Sequence, residues 1–155
     1  MLSRQASHTL KALLELAGDP QRWRSTQQLA TAQQLPEPML EQLLLRLRRA
    51  GLLEARRGRR GGYRLARPAA TISLAAVLDG LEERITRTNA GSGRAGGGSA
   101  PAGETSAVDQ VTGALERRLE RARQQALAEL SLEDLLFDLR SAQASMHSGA
   151  GLLLG

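Results

Sequence analysis

The sequence predicts a mainly α fold carrying one small β-hairpin, with a long helix set apart towards the C-terminal end. Three observations lead there. Only 2% of the 155 residues are aromatic, so the core has to be assembled from Leu, Ala, Val and Ile, which suits packed helices better than a sheet. Leucines recur at three- and four-residue intervals in several separate stretches, the period of a helix with one buried face. Between Leu52 and Arg67 that period gives way to two short runs flanking a turn with three glycines.

The elements follow in order. Leu10, Leu13, Leu14 and Leu16 mark a first helix over 7–17, closed by the breakers Gly18-Asp19-Pro20. Ser25 and Gln28 have the spacing of a capping box, in which each side chain satisfies the other's backbone N–H, and they start a second helix from Thr26 to about Gln33. Pro36 is expected to end it. Pro38 suits the first turn of a third helix, where the missing N–H has no partner to lose. Leu40, Leu43, Leu44 and Leu47 supply its inner face and Gly51 its stop. Two short helices joined tightly make a helix-turn-helix candidate, although a plain helical hairpin has the same pattern.

Leu52–Arg56 and Tyr63–Ala66 read as strands around the turn Arg57–Gly62, whose glycines supply the positive φ values a hairpin needs. Such a hairpin beside a helix-turn-helix is a wing. Pro68 ends the second strand, and Ser73 caps a short helix from Leu74 to about Arg84 with Leu74, Val77, Leu78 and Leu81 inward. Residues 86–105, including TNAGSGRAGGGSAPAG, are too rich in Gly, Ser and Ala to bury anything and read as a flexible linker spanning roughly 25 Å. Val108, Val111, Leu115, Leu119, Ala122 and Ala126 then form the stripe of a long amphipathic helix. An intramolecular core would use such a stripe, but little chain remains to cover it, so a dimer contact is expected. Ser131 and Asp134 restart a short helix through Leu135, Leu136 and Leu139, and the end, Gly149–Gly155, is an apolar tail that either docks or frays. The expected division is 1–85, winged helix-turn-helix; 86–105, linker; 106–142, dimerisation helix and short terminal helix; and 143–155, tail.

Charge and composition narrow the chemistry. The formal net charge is +5, yet Arg46–Arg67 holds nine arginines against the single acid Glu54, so the rest of the chain is net negative. Charge alone fits either a solvated basic face or a polyanionic partner. Exposed arginines around a glycine turn pack poorly, whereas beside phosphates each releases counterions, so together with the helix-turn-helix they favour DNA. RNA ranks below it, because one Tyr and one Phe offer no stacking platform for unpaired bases. With no cysteine, disulfides, thiolate zinc sites, cysteine-ligated iron–sulfur clusters and cysteine nucleophiles are excluded. His8 and His147 lack Asp or Glu at ligand spacing, so no metal and no cofactor is assigned. Ser7 and His8 point about 100° apart on a helix, and no oxyanion loop accompanies them, so no enzyme is expected. No apolar run approaches the ~20 residues of a membrane helix, and Met1–Gln5 lacks the regions of a signal peptide, which makes the cytoplasm the expected location.

The segment PMLEQLLLRLRRAGLLEARRGRRGGYRLARP resembles the Rrf2 family of bacterial transcription regulators, with their IscR-like winged helix-turn-helix. The resemblance extends over LSRQASHTLKALLELA, ISLAAVLDGLE and LERRLERA…LSLEDLL, nearly the whole chain. It implies a homodimer in which Val108–Leu130 crosses its partner antiparallel while two winged heads meet successive turns of DNA. It places Glu41 and Gln42 at major-groove edges, where a carboxylate accepts from cytosine N4 and an amide pairs with adenine N6 and N7. It places Arg57 in the minor groove, where a narrow A·T tract concentrates negative potential. Tyr63 then props the base of the wing, and His8 lies near phosphate. Ser25, Thr26, Arg46, Arg56, Arg59, Arg60 and Arg64 complete the expected DNA-binding set. Two departures qualify the match. Pro38 and Met39 stand where relatives often carry Ser and Tyr, and Arg87–Thr105, where many relatives place three cysteines for a [2Fe–2S] cluster, has none. Cluster-dependent sensing is therefore not carried over.

The expected function is a sequence-specific regulator on double-stranded DNA, a homodimeric repressor on a pseudo-palindromic site with half-sites ~34 Å apart. Affinity is assigned to Arg56, Arg59, Arg60 and Arg64, and specificity to Glu41, Gln42 and Arg57. The alternative is a winged-helix assembly module whose basic face meets an acidic protein.

Overall fold

The computed structural model describes residues 2–90 and 106–150, so most of the expected linker and the end of the expected tail lie outside the described residues. Helix α1, Arg4–Gly18, begins where the Ser3 hydroxyl accepts from the Ala6 N–H at 3.1 Å. Helix α2, Thr26–Gln33, has the expected capping box, with Ser25 Oγ accepting from Gln28 N at 3.1 Å and Gln28 Oε1 from Ser25 N at 3.0 Å. Its end differs from expectation. Gln34 adopts the left-handed conformation at φ 53, letting Leu35 N–H return to the Ala30 carbonyl at 2.9 Å. Pro36 therefore does not stop α2 but caps the start of α3, Glu37–Arg49, with its carbonyl accepting from Leu40 N–H at 3.1 Å. Gly51, at φ 76, turns the chain out of α3 as expected.

Strands β1, Leu53–Arg56, and β2, Gly62–Leu65, pair antiparallel in the register Leu53–Leu65, Glu54–Arg64, Ala55–Tyr63 and Arg56–Gly62. A short three-ten turn at Ala69–Thr71 leads to α4, Leu74–Ala90, with Ser73 Oγ accepting from Ala76 N–H at 3.1 Å. This helix outruns the expected end near Arg84, because no Gly or Pro stands between Arg84 and Gly91. Helix α5, Ala107–Glu129, opens on a capping box of Ser106 and Asp109. Helix α6, Leu132–Ala150, was expected to be short; no breaker stands between Leu132 and Gly149, so the helix continues through the first part of the expected tail.

Leucines of α1, α3 and α4 build one core with Leu29, Leu52, Leu53, Leu65 and Ile72. The terminal helix belongs to it as well. Leu132 and Leu136 are buried there, and a short antiparallel link joins the segment to the head: Leu74 N–H donates to Leu130 O at 2.9 Å and Leu132 N–H to Ile72 O at 2.8 Å. Helix α5 is different, since none of its residues is buried and only Leu127 packs partly against the core.

Candidate nucleic-acid interface

The four leucines of α3 are so completely buried that they set the rotation of the helix about its axis. With that stripe inward, Glu41, Gln42, Arg48 and Arg49 are turned to solvent. Arg46 is not among them. Its Nη1 reaches inward to the Leu81 carbonyl of α4 at 3.5 Å, and the side chain is half-buried. Pro38 is exposed on the first turn, whereas Met39 packs partly into the core.

The wing is tied to the rest of the head at its root. Arg24, just before α2, pairs with Tyr63 as an isolated third rung: Arg24 N–H donates to Tyr63 O at 3.0 Å, and Tyr63 N–H to Arg24 O at 2.8 Å. Gly62 makes this approach possible. It sits at φ 130, and a Cβ there would collide with the backbone of Arg24. Burial pushes the Tyr63 phenol above its usual pKa; Arg48 pulls the other way, and Glu41 adds to the rise. The phenol therefore lies within electrostatic reach of Arg48 and Glu41, and α3 itself packs against β1 of the hairpin.

Trp23, which the residue pattern did not single out, organises the outer face of the hairpin. The guanidinium carbons of Arg56 and Arg64 lie 4.7 and 4.5 Å from its ring centroid. Arg56 also donates from Nη2 to the Arg60 carbonyl at 2.7 Å, and Arg64 pairs through Nε with Glu54 at 2.9 Å. Behind them Glu15 of α1 holds the Arg24 guanidinium in an ion pair and accepts from Gln33 Nε2 of α2 at 2.9 Å. A lone Trp between Arg22 and Arg24 in a chain so poor in aromatics was the available signal.

The remaining arginines stand apart. At the tip, Gly58 takes φ 106 and its carbonyl accepts from Gly61 N–H at 2.9 Å. Arg57, Arg59 and Arg60 are exposed there, with no side-chain partner among the described residues. Ser25 is occupied as a cap and Thr26 is half-buried on the first turn of α2. His8 is half-buried on α1, its Nδ1 enclosed without a hydrogen-bond partner among the described residues.

Comparison with known proteins agrees with this architecture. The sequence profile of the Rrf2 family, described as an iron-dependent transcriptional regulator, matches residues 2–138. A Synechocystis protein named as an HTH-type transcriptional regulator, slr0846, is 36% identical over 99% of both chains. The HTH-type transcriptional regulator IscR of Cereibacter sphaeroides is 39% identical over 62% of this chain and 64% of its own. Among solved structures, T. potens IscR superposes with a TM-score of 0.70 at 28% identity, covering 92% of this chain and 90% of that one. Staphylococcus aureus CymR in its oxidized form superposes at 0.64 with 27% identity, covering 88% and 95%.

The donor set does not fit the iron of the family description as a cysteine-held cluster. The sequence has no cysteine, and among the described residues no three His, Asp or Glu side chains gather where one ion would be held. The family match over most of the length, the shared fold and the wing beside an exposed third helix agree: the chain belongs to the Rrf2 family of winged helix-turn-helix transcriptional regulators.

Proposed function

We propose that this protein is a sequence-specific DNA-binding regulator that works as a homodimer on a pseudo-palindromic site and represses by occluding a promoter. The observation that carries the reading is that α3, with Glu41 and Gln42 exposed to solvent, packs against β1 of a hairpin that ends in exposed Arg57, Arg59 and Arg60. A helix with polar side chains on its outer face fits the major groove, and an arginine tip fits the adjacent minor groove. Glu41, Gln42 and Arg57 discriminate sequence, while Arg59 and Arg60 supply salt-sensitive affinity through phosphates. The action contains no covalent step, and its place is the cytoplasm, with the chromosome.

Helix α5, an arm beside the winged head, supports the dimer. Val108, Val111, Leu115 and Leu119 are 68, 69, 54 and 61% exposed along one line of α5, an apolar surface that a second copy would cover. Ala122 and Ala126 extend it with small side chains that permit close crossing of two helices. Two heads held this way can engage half-sites one helical turn apart, ~34 Å.

The test is to select bound duplexes from a random pool with pure protein, with and without added iron and reductant. A two-fold symmetric consensus unchanged by iron or reductant is expected. Absence of any enriched sequence would overturn the reading. Within the selected site, Arg57→Ala should weaken binding by about 1–3 kcal/mol and relax the minor-groove preference.

A further inference from the structure

We infer that Trp23 is a positioning residue for the wing, and that Arg56 and Arg64 are struts clamped on its ring rather than contacts to phosphate. This rests on the duplex-binding reading above and divides the basic hairpin into two functional sets. Both guanidinium groups lie within 5 Å of one indole centroid, the separation of cation–π contact. Each also has a second tie within the protein: Arg56 to the Arg60 carbonyl at 2.7 Å, and Arg64 to the Glu54 carboxylate at 2.9 Å. A phosphate bound by Arg64 would have to compete with a carboxylate that already neutralises it. The indole has no comparable freedom to follow the arginines, because the next residue, Arg24, is bonded in both directions to Tyr63 and its side chain is paired with Glu15.

The consequence reaches the tip. Arg56 closes on the carbonyl of Arg60, so a ring fixed in the loop before α2 sets the course of the turn that carries Arg57, Arg59 and Arg60. Those three have no side-chain partner among the described residues and remain available to DNA. Fixing the loop before binding removes part of the ordering that association would otherwise have to supply.

Two measurements test this. The first needs no DNA: Trp23 is the only tryptophan, so its emission in Arg56→Ala and Arg64→Ala should move to longer wavelength as each cation leaves the ring. Unchanged emission in both would overturn the clamp, whatever the protein binds. The second is the salt dependence of affinity for the selected duplex, in which each phosphate contact contributes a slope of about 0.9. Arg60→Ala, which removes one contact from each protomer of the dimer, should lower the slope by about 1.8. Trp23→Leu, Arg56→Ala and Arg64→Ala should weaken binding about tenfold with the slope of the wild type, and Trp23→Leu with Arg56→Ala should be no worse than either alone. Trp23→Phe, which keeps an aromatic face, should recover most of the affinity and serves in place of Trp23→Leu if that variant does not fold. Slopes reduced by about 1.8 in both arginine variants, with wild-type binding by the Trp23 variant, would make them phosphate contacts and overturn the inference. A wild-type protein without salt-dependent duplex binding would instead overturn the function proposed above and leave the emission result to decide the clamp.

Discussion

Helices α3 and α5 carry similar stripes of aliphatic residues and end in opposite environments. In α3, Leu40, Leu43, Leu44 and Leu47 are at most 2% exposed, whereas in α5 the corresponding Val108, Val111, Leu115 and Leu119 remain more than half exposed. The cause is what surrounds them. Helix α3 is packed by α1, α2, α4 and β1, while α5 meets α4 and leaves its stripe uncovered. Periodicity identifies the face of a helix that seeks cover, and the fold of one chain decides whether that chain supplies it. A stripe left wet over several turns is a surface for another molecule, and here a second α5 is the proposed cover.

The largest effect is expected at α5. Leu115→Asp with Leu119→Asp should abolish the dimer and reduce affinity for a two-half-site duplex by about a hundredfold or more, as the second head loses its tether. Sedimentation and gel shift measure both effects, and thermal unfolding of the head should stay as in the wild type. An unaltered dimer would assign the stripe to something else. The converse substitution belongs to α3: Leu43→Ala leaves a cavity in the core and should cost about 2–5 kcal/mol in denaturant unfolding. Leu115→Ala should change the stability of the head by no more than about 0.5 kcal/mol, and equal losses at the two positions would erase the distinction.

A smaller effect is expected at the root of the wing. Gly62→Ala places a Cβ against the Arg24 backbone at a positive φ, so about 1–3 kcal/mol of strain is expected, read as lower stability together with weaker duplex binding. The smallest concerns the junction between arm and head. Hydrogen bonds from the Ser131 backbone N–H and hydroxyl hold the Asp134 carboxyl below the ordinary carboxylate range. Stabilisation from this cap is complete above that ordinary range and fades as pH falls through the lowered value. Asp134→Asn should therefore flatten the acid side of the stability–pH profile slightly; an unchanged profile would remove the cap from the account.

Much of this was legible in the sequence because it is local. The Ser25–Gln28 and Ser131–Asp134 boxes, the α3 stripe ending at Gly51 and the wing strands all depend on residues a few positions apart. What depended on distant contacts was not. Pro36 looked like the stop of α2 because proline breaks helices, but Gln34 had already turned the chain by a left-handed conformation that glutamine seldom adopts. Arg46 counted as one more cation of a basic run until α4 offered it the Leu81 carbonyl. Trp23 escaped notice because its partners, Arg56 and Arg64, come over thirty positions later and meet it only once Arg24 joins Tyr63. The length of α6 is not written in its leucine stripe, which ends at Leu139, because the helix runs on through residues that simply lack a breaker.

The central claim is that α3 and the wing tip together bind the DNA duplex. Its most direct test is the affinity of the full-length protein for its selected duplex as ionic strength rises. Six or more phosphate contacts predict a loss of roughly a thousandfold between 50 and 200 mM salt, with a random duplex bound more weakly throughout. A flat response, or equal affinity for both duplexes, would contradict the account and favour a basic face that meets an acidic protein.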